Sequence, residues 1–300
     1  MRVILFHNPK AGRGEYSKQS LIRALREAGH EVIYQSTKSK GWRRAFKESA
    51  DIILAAGGDG TVGKIACKLI GRKTPLSVLP LGTANNLART LGFDIGVERL
   101  IRQLGCAKAE GFDVGRIRGP CGKRYVFEGI GAGLLAEYLR QPHHGAPDLS
   151  KKEEMTWHVC ALRKLLEAYQ PRKWRLRIDG KELRARFLLL EAMNIRSVGP
   201  VLNLAPAARA SDGQFDLVFV SEKERDMLMD YLADRCSGRK TPVFPFATRS
   251  FRRLQIEWRK SPLHFDDSLW PEEDDRPSAG AIELSVQKSA LLVARPNEPG

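Results

Sequence analysis

The stretch Ala55-Ala56-Gly57-Gly58-Asp59-Gly60-Thr61-Val62-Gly63 constrains this chain more than any other. It follows the apolar run Ile52-Ile53-Leu54 and precedes Lys64-Ile65-Ala66-Cys67-Lys68-Leu69-Ile70, whose apolar spacing predicts a helix. A buried strand therefore feeds a glycine-rich turn that opens a helix. Glycines at such a junction permit positive φ and remove the side chains that keep a phosphate away from backbone N–H groups. Asp59 sits inside the turn. A carboxylate beside a phosphate-binding loop is useful where a cation or a transferred proton is also present. The competing reading is a plain strand-to-helix turn with a solvated aspartate.

The same pattern recurs on either side. Val3–Phe6 reads as a short buried strand that ends in Asn8-Pro9-Lys10-Ala11-Gly12-Arg13-Gly14, where Lys10 and Arg13 are candidate counter-charges for a phosphate or ordinary exposed cations. Leu21, Ile22 and Leu25 predict a helix closed by Gly29, and Glu31–Tyr34 the next strand, with Thr37 just past its end. Trp42, Ala45 and Phe46 suggest a further helix. Leu76–Leu79 is a strand that runs into Pro80-Leu81-Gly82-Thr83-Ala84-Asn85-Asn86, a second glycine turn with polar groups at a helix start. Asparagine is also a good helix cap, so either Asn has a structural alternative. Alternating strands and helices predict a parallel sheet, whose ligands collect at the carboxyl ends of its strands. Asn8, Thr37 and Asp59 all stand at such ends.

Beyond residue 113 the pattern changes to short strands at 124–127, 174–178, 186–190, 216–220 and 253–258, with turns such as Asp179-Gly180. That predicts antiparallel β structure. One interruption is helical: Met155, Val159, Leu162, Leu165 and Leu166 form a stripe suited to packing on a sheet. His143-His144 lack a third ligand at a recognisable spacing, which argues against a metal there.

Charge and composition narrow the partners. The formal net charge of +15 is spread along 300 residues and favours polyanions: nucleic acid, a nucleotide or an anionic membrane surface. The basic segments lack interleaved aromatics, which speaks against nucleic acid. Five cysteines, far apart and without a C-x-x-C pair, fit reduced thiols in the cytoplasm. The apolar start, Val3 to Phe6, is too short for a signal-peptide core, and no run reaches the length of a spanning helix. Membrane contact would be peripheral, at the inner face; oligomeric state is not encoded in any motif.

These motifs together resemble the catalytic domain of diacylglycerol and sphingosine kinases, in particular the soluble bacterial lipid kinases. The residues that carry the resemblance are Asn8-Pro9 with Gly12, G-G-D-G-T at 57–61, L-P-L-G-T-A-N-N at 79–86, Asp113-Val114, and Leu204-Ala205-Pro206-Ala207 followed by Asp212-Gly213-Gln214-Phe215-Asp216. G-G-D-G-T alone is shared with NAD kinases, but the 79–86 turn resembles the lipid-kinase version. The resemblance implies an α/β, two-domain chain: an ATP-binding layer at 1–112 and a mainly antiparallel β-sandwich at 113–300 that holds the lipid. It implies ATP contacts from Asn8, Thr37, Gly57, Gly58, Asp59, Gly60, Thr61, Val62, Gly63, Gly82, Thr83, Asn85 and Asn86, with Asp59 serving a Mg²⁺ ion or the proton transfer. It further implies a second cation at Asp212 and Gln214.

Two positions depart from the family pattern. Asn86 stands where an aspartate is usual. The family's D-G-E near the C-terminus is matched by His264-Phe265-Asp266-Asp267-Ser268, which keeps the aspartate but replaces the glutamate with a hydroxyl. A hydroxyl does not serve as a general base without its own activator, so Asp266 or Asp267 is left as the catalytic carboxylate, with Glu272-Glu273-Asp274-Asp275 a further donor. The leading expectation is a Mg²⁺- and ATP-dependent lipid kinase; the alternative from another class is a catalytically weak nucleotide or lipid sensor on the same scaffold.

Overall fold

The computed structural model describes residues 1–141, 149–237, 246–271 and 279–297. His143-His144 and Glu272–Asp275 lie outside the described residues. The chain forms two compact units, Met1–Phe112 with Lys288–Gly300, and Asp113–Gln287. The second domain expected at 113–300 thus gives up its last segment to the first unit. Alternating apolar residues look alike in a strand of either unit, so composition alone does not reveal that return.

The first unit runs β1 (Arg2–His7), α1 (Lys18–Glu27), β2 (Glu31–Ser36), β3 (Ile52–Gly57), α2 (Asp59–Ala66), β4 (Leu76–Pro80), α3 (Asn86–Thr90) and α4 (Val97–Gln103). Its strands are parallel in the order β4-β3-β1-β2, and Val293 of the chain's last strand pairs with Leu76 beyond β4. Every residue of β3 is buried, as the continuous apolar run of a strand covered on both faces requires. Ser17 caps α1 by accepting from the Ser20 amide at 3.1 Å. Helix α2 begins at Asp59, not at Lys64 as periodicity predicts. Gly60 and Gly63 each cost about 1 kcal/mol of helix propensity, but Val62, Ile65 and Ala66 are buried from the same helix, and that packing outweighs the glycines.

The second unit contains β5 (Lys108–Gly119), β6 (Gly122–Val126), β7 (Gly129–Gly133), α5 (Leu134–Arg140), α6 (Lys151–Ala168), β8 (Arg172–Ile178), β9 (Lys181–Met193), β10 (Ser197–Val198), β11 (Leu202–Asn203), β12 (Phe215–Ser221), α7 (Arg225–Cys236), β13 (Thr248–Phe251), β14 (Arg253–Trp258), β15 (Leu263–Phe265), β16 (Ser268–Trp270) and β17 (Gly280–Arg295). Both β5 and β17 cross the unit boundary. Neighbours pair antiparallel in the order β16-β15-β7-β9-β8-β14-β17, with β12 also on β9. Strand β9 serves several neighbours: Lys181–Phe187 pair with β8, and Leu189–Met193 pair with both β7 and β12. Phe187, Leu190 and Ala192 join a core with Trp174, Trp258 and Trp270. Leu188, Leu189 and Met193 join a second core with residues of α5, α6 and α7.

Helix α6 opens on a capping box between Ser150 and Glu153. Val159, Leu162 and Leu166 from its stripe lie in the second core, so the stripe packs on the sheet. Leu162→Ala is expected to lower unfolding free energy by about 2–5 kcal/mol in urea titration, and the exposed Lys152→Ala to stay within about 0.5 kcal/mol. A loss under about 1 kcal/mol at Leu162 would remove the stripe from the core.

Candidate active site

In the first unit the two glycine turns follow adjacent strands, with Gly57 of β3 in register with Pro80 of β4. They touch through backbone. A Cβ on Gly82 would fall 2.5 Å from the Gly58 Cα, and one on Gly58 would fall 3.2 Å from the Gly82 Cα. The Leu81 amide donates to the Gly57 carbonyl at 3.0 Å. Asn85, at φ 52°, holds the second turn: its Oδ1 accepts from the Gly82 amide at 3.0 Å and its Nδ2 donates to the Gly82 carbonyl at 2.9 Å. Gly57 leaves room for Thr61, whose Cβ would stand 2.6 Å from a glycine-replacing Cβ. The Thr61 hydroxyl accepts from Asn8 Nδ2 at 3.2 Å.

Asp59 has a task that the sequence did not suggest. Its two oxygens accept from the Asn86 amide at 3.1 Å and the Leu87 amide at 3.2 Å, so the first residue of α2 caps the start of α3. A negative charge is well placed there. Asn86 is buried at 3% exposure, an environment that suits a neutral amide better than the aspartate of the family pattern. Thr37 donates its amide to the His7 carbonyl at 2.8 Å, just beyond the ends of β1 and β2. The Val62 side chain is core. Thr83 is half-buried in the second turn.

In the second unit Asp266 faces three successive backbone amides. Its Oδ1 accepts from Phe127 at 3.1 Å, Glu128 at 2.8 Å and Gly129 at 3.1 Å, while its own amide donates to the Gly129 carbonyl at 2.9 Å. The residue is half-buried overall, but its carboxyl is turned into this loop. Burial pushes the Asp266 carboxyl up to about 6; the three amides oppose that shift and nearby Asp267 adds to it. Asp267 is exposed and accepts from the Ser268 hydroxyl at 3.2 Å.

Beside it lies a pair missing from the sequence reading. Glu191 on β9 and His264 on β15 are both fully buried, and His264 Nε2 lies 2.9 Å from Glu191 Oε2. Gly131 of β7 is in register with each. A Cβ there would fall 2.0 Å from Glu191 Oε2 and 2.2 Å from His264 Nε2, so the pair forms in the space the glycine leaves. His264 Nδ1 lies 2.9 Å from the Asp266 carbonyl. A carbonyl only accepts, so Nδ1 carries a proton. Burial pushes the Glu191 carboxyl up against the pull of His264. Burial alone would lower His264, but Glu191 together with the Asp266 carbonyl and charge outweighs it and holds the imidazole above its ordinary value. The available signal was Glu191 as the one charge inside the apolar run Phe187–Met193.

Asp212 makes the turn that its Asp-Gly sequence allows: its Oδ1 accepts from the Gln214 amide at 2.9 Å, and the Gly213 amide donates to buried Asp113 at 2.5 Å. Burial raises the nearby Asp216 carboxyl, the Ser250 hydroxyl opposes this, and the charge of Asp212 adds to it. Among the described residues no three His, Cys, Asp or Glu side chains form a metal cluster. Mg²⁺ typically takes one or two carboxylates, waters and substrate phosphates, so single carboxylates such as Asp59 or Asp212 fit it.

Comparison with known proteins matches residues 2–117 to the diacylglycerol kinase catalytic domain and residues 144–265 to the YegS C-terminal NAD kinase beta sandwich-like domain. Residues 2–117 thus form a diacylglycerol kinase catalytic domain and residues 144–265 a YegS-type β-sandwich domain. It is 29% identical to a diacylglycerol kinase of Bacillus subtilis over 74% of each chain. It is 25% identical to a diacylglycerol kinase of Mycobacterium tuberculosis over 98% of this chain and 95% of that one. The fold is similar to the crystal structure of a diacylglycerol kinase from Bacillus anthracis, with TM-score 0.70 at 18% identity over 98% and 96% of the two chains. At the level of the family the protein is a lipid kinase, an α/β chain with a C-terminal β-sandwich. Among the described residues no helix is long and apolar enough to cross a membrane.

The Asp266 shift has a definite sign. A carboxyl raised from 3.8 to about 6 in the folded state holds its proton more tightly folded than unfolded, so its stabilisation is present below pH 4 and lost as pH rises through 6. Asp266→Asn removes that loss. Between pH 4 and 7 the urea midpoint of the wild type is expected to fall relative to that of the variant; parallel curves would mean that Asp266 titrates as an ordinary aspartate.

Proposed function

We propose that the chain transfers the γ-phosphoryl group of ATP to a primary hydroxyl of a diacylglycerol-like membrane lipid, with Mg²⁺ required. The backbone contact between Gly58 and Gly82 carries this reading. It brings two strand-ending turns together without side chains between them, which suits a triphosphate held by amides. The first-turn amides of α2 at Gly58, Asp59 and Gly60 are the donors for it, with Thr83 and Asn85 in the adjoining turn, Asn8 fixing Thr61 and Thr37 at the end of β2. Mg²⁺, once bound, would supply charge neutralisation at the phosphates. Asp59 and Asp212 are the carboxylates suited to hold such ions, with Gln214 beside the latter.

Asp266 takes the proton of the lipid hydroxyl. The freed oxygen attacks the γ-phosphorus as the bond to the β-phosphate oxygen breaks, and ADP leaves. A carboxyl near pKa 6 is matched to that role at neutral pH. The family glutamate replaced by Ser268 is not needed for this step, because Asp266 is tuned by burial and its amides. Relatives named diacylglycerol kinase support the lipid class.

The test is transfer of labelled γ-phosphate from ATP to diacylglycerol, phosphatidylglycerol and sphingosine in mixed micelles, with and without chelator. Product on diacylglycerol that disappears on chelation is expected. Asp266→Asn is expected to lower kcat by about 10²–10⁴-fold while leaving KM for ATP within about threefold. Gly82→Ala, which pushes the two turns apart, is expected to raise KM for ATP at least tenfold. No product on any lipid, with ATP still bound, would replace this reading with the nucleotide-binding sensor.

A further inference from the structure

The outward side chains of β8 and β9 oppose like charges. Lys173 stands directly across from Arg186, and Arg175 from Arg184. Directly opposed like charges destabilise a sheet, and here two such pairs share one face. The strands cannot turn over to relieve them, because Trp174, Leu176, Ile178 and Phe187 on the other face are core. Two carboxylates answer four arginines: Glu182 pairs with Arg177 and Arg184, and Glu257 with Arg175 and Arg259. Glu222 lies near enough for Arg186 to favour its charge. The face still holds an excess of cations. It surrounds an open depression of about 610 Å³ bordered by Lys173, Arg175, Arg184, Arg186, Arg259 and Glu257. Arg175 and Arg184 keep 54% and 61% of their side chains exposed.

We infer that the outward face of the β8–β9 hairpin docks the protein on an anionic phospholipid surface, the cation pairs being bridged by headgroup phosphates. Guanidinium groups take phosphate oxygens in bidentate fashion, and an anion set between opposed cations converts their repulsion into attraction. The large exposed hydrophobics among the described residues, Met1, Tyr125 and Met227, all lie off these strands. Trp174 also lines the depression but is only 4% exposed, so the face offers no open aromatic platform for stacking bases. A lipid kinase meets a membrane-resident substrate at the bilayer surface, where headgroup phosphates are dense. The inference rests on the lipid-kinase reading for its choice of anion.

The experiment is co-sedimentation with vesicles of phosphatidylcholine alone or with 30% phosphatidylglycerol, at 50 mM and 500 mM NaCl. The probe variant is Lys173→Glu/Arg184→Glu. It turns both like-charge pairs into opposite-charge pairs while giving up the Glu182–Arg184 ion pair, so its Tm is expected to stay within a few degrees of that of the wild type. Wild type is expected to bind the anionic vesicles at least tenfold more tightly than the neutral ones at low salt and to lose that preference at high salt. The variant is expected to lose at least tenfold in binding, Lys173→Arg/Arg184→Lys to bind as wild type, and Arg23→Glu, on α1, to change binding less than threefold. Equal binding by wild type and Lys173→Glu/Arg184→Glu, or a wild type that binds inorganic phosphate but no vesicles, would overturn the inference. Phosphorylation of a short-chain, detergent-dispersed diacylglycerol separates the two readings. Activity retained with vesicle binding lost supports the face; binding that follows the face with no activity on any lipid removes the kinase reading and leaves the face.

Discussion

Gly58 and Gly82 meet backbone to backbone, and the loops of the first unit are arranged by that contact. With a Cβ on Gly82 the two strand-ending turns would have to separate, and the α3 amides that Asp59 caps would move with them. The carboxylate is therefore both the first residue of one helix and the cap of another. Phosphate-binding loops commonly gain their donors from one helix start; here two helix starts are locked into one frame by a single side chain. Rigidity of this kind has a chemical use, because phosphoryl transfer depends on position and electrostatics more than on covalent chemistry by the protein.

The second unit depends on a different constraint, a buried carboxylate beside a buried imidazole. Leaving either unpartnered would cost about 3–5 kcal/mol, so the strand between them carries Gly131 and lets them touch. The Asp266 carbonyl fixes the Nδ1 proton, which leaves one further proton to be shared between Nε2 and Glu191. Both groups are shifted upward, so the pair holds that proton more tightly than either group would in water. With that proton the pair carries no net charge behind Asp266, whose basicity is raised by burial and by Asp267 and lowered by its three amides. Ser268 stands where the family pattern has a glutamate, yet a carboxylate still reaches this corner from β9.

Much of the first unit was legible because its strands are buried on both faces and end in glycine turns, which are strong local signals. The start of α2 was not, since Gly60 and Gly63 speak locally for a turn and only the burial of Val62 and Ile65 decides for a helix. In the second unit β7 was missed: Gly129-Ile130-Gly131-Ala132-Gly133 has low strand propensity, and it is a strand because β9 and β15 pair with it on either side. The Glu191–His264 pair joins residues 73 positions apart, a proximity that no periodicity encodes. Asp59, Gly82 and Asp266 were legible as candidates through their motifs, but the cap on α3 and the amides around Asp266 belong to the folded chain.

Strand β9 ties these features together. Its first half presents Lys181, Glu182, Arg184 and Arg186 to solvent, because β8 covers only the edge and the core takes the other face. Its second half, Phe187–Met193, is buried throughout, flanked by β7 and β12. Charge is tolerated there only as Glu191, which has a partner. From Arg186 to Glu191 is five residues, or about 17 Å along an extended strand. On the docking inference, a headgroup phosphate seated on the hairpin would stand about that far from Glu191 along one continuous strand, paired with β8 at its first half and with β7 and β12 at its second.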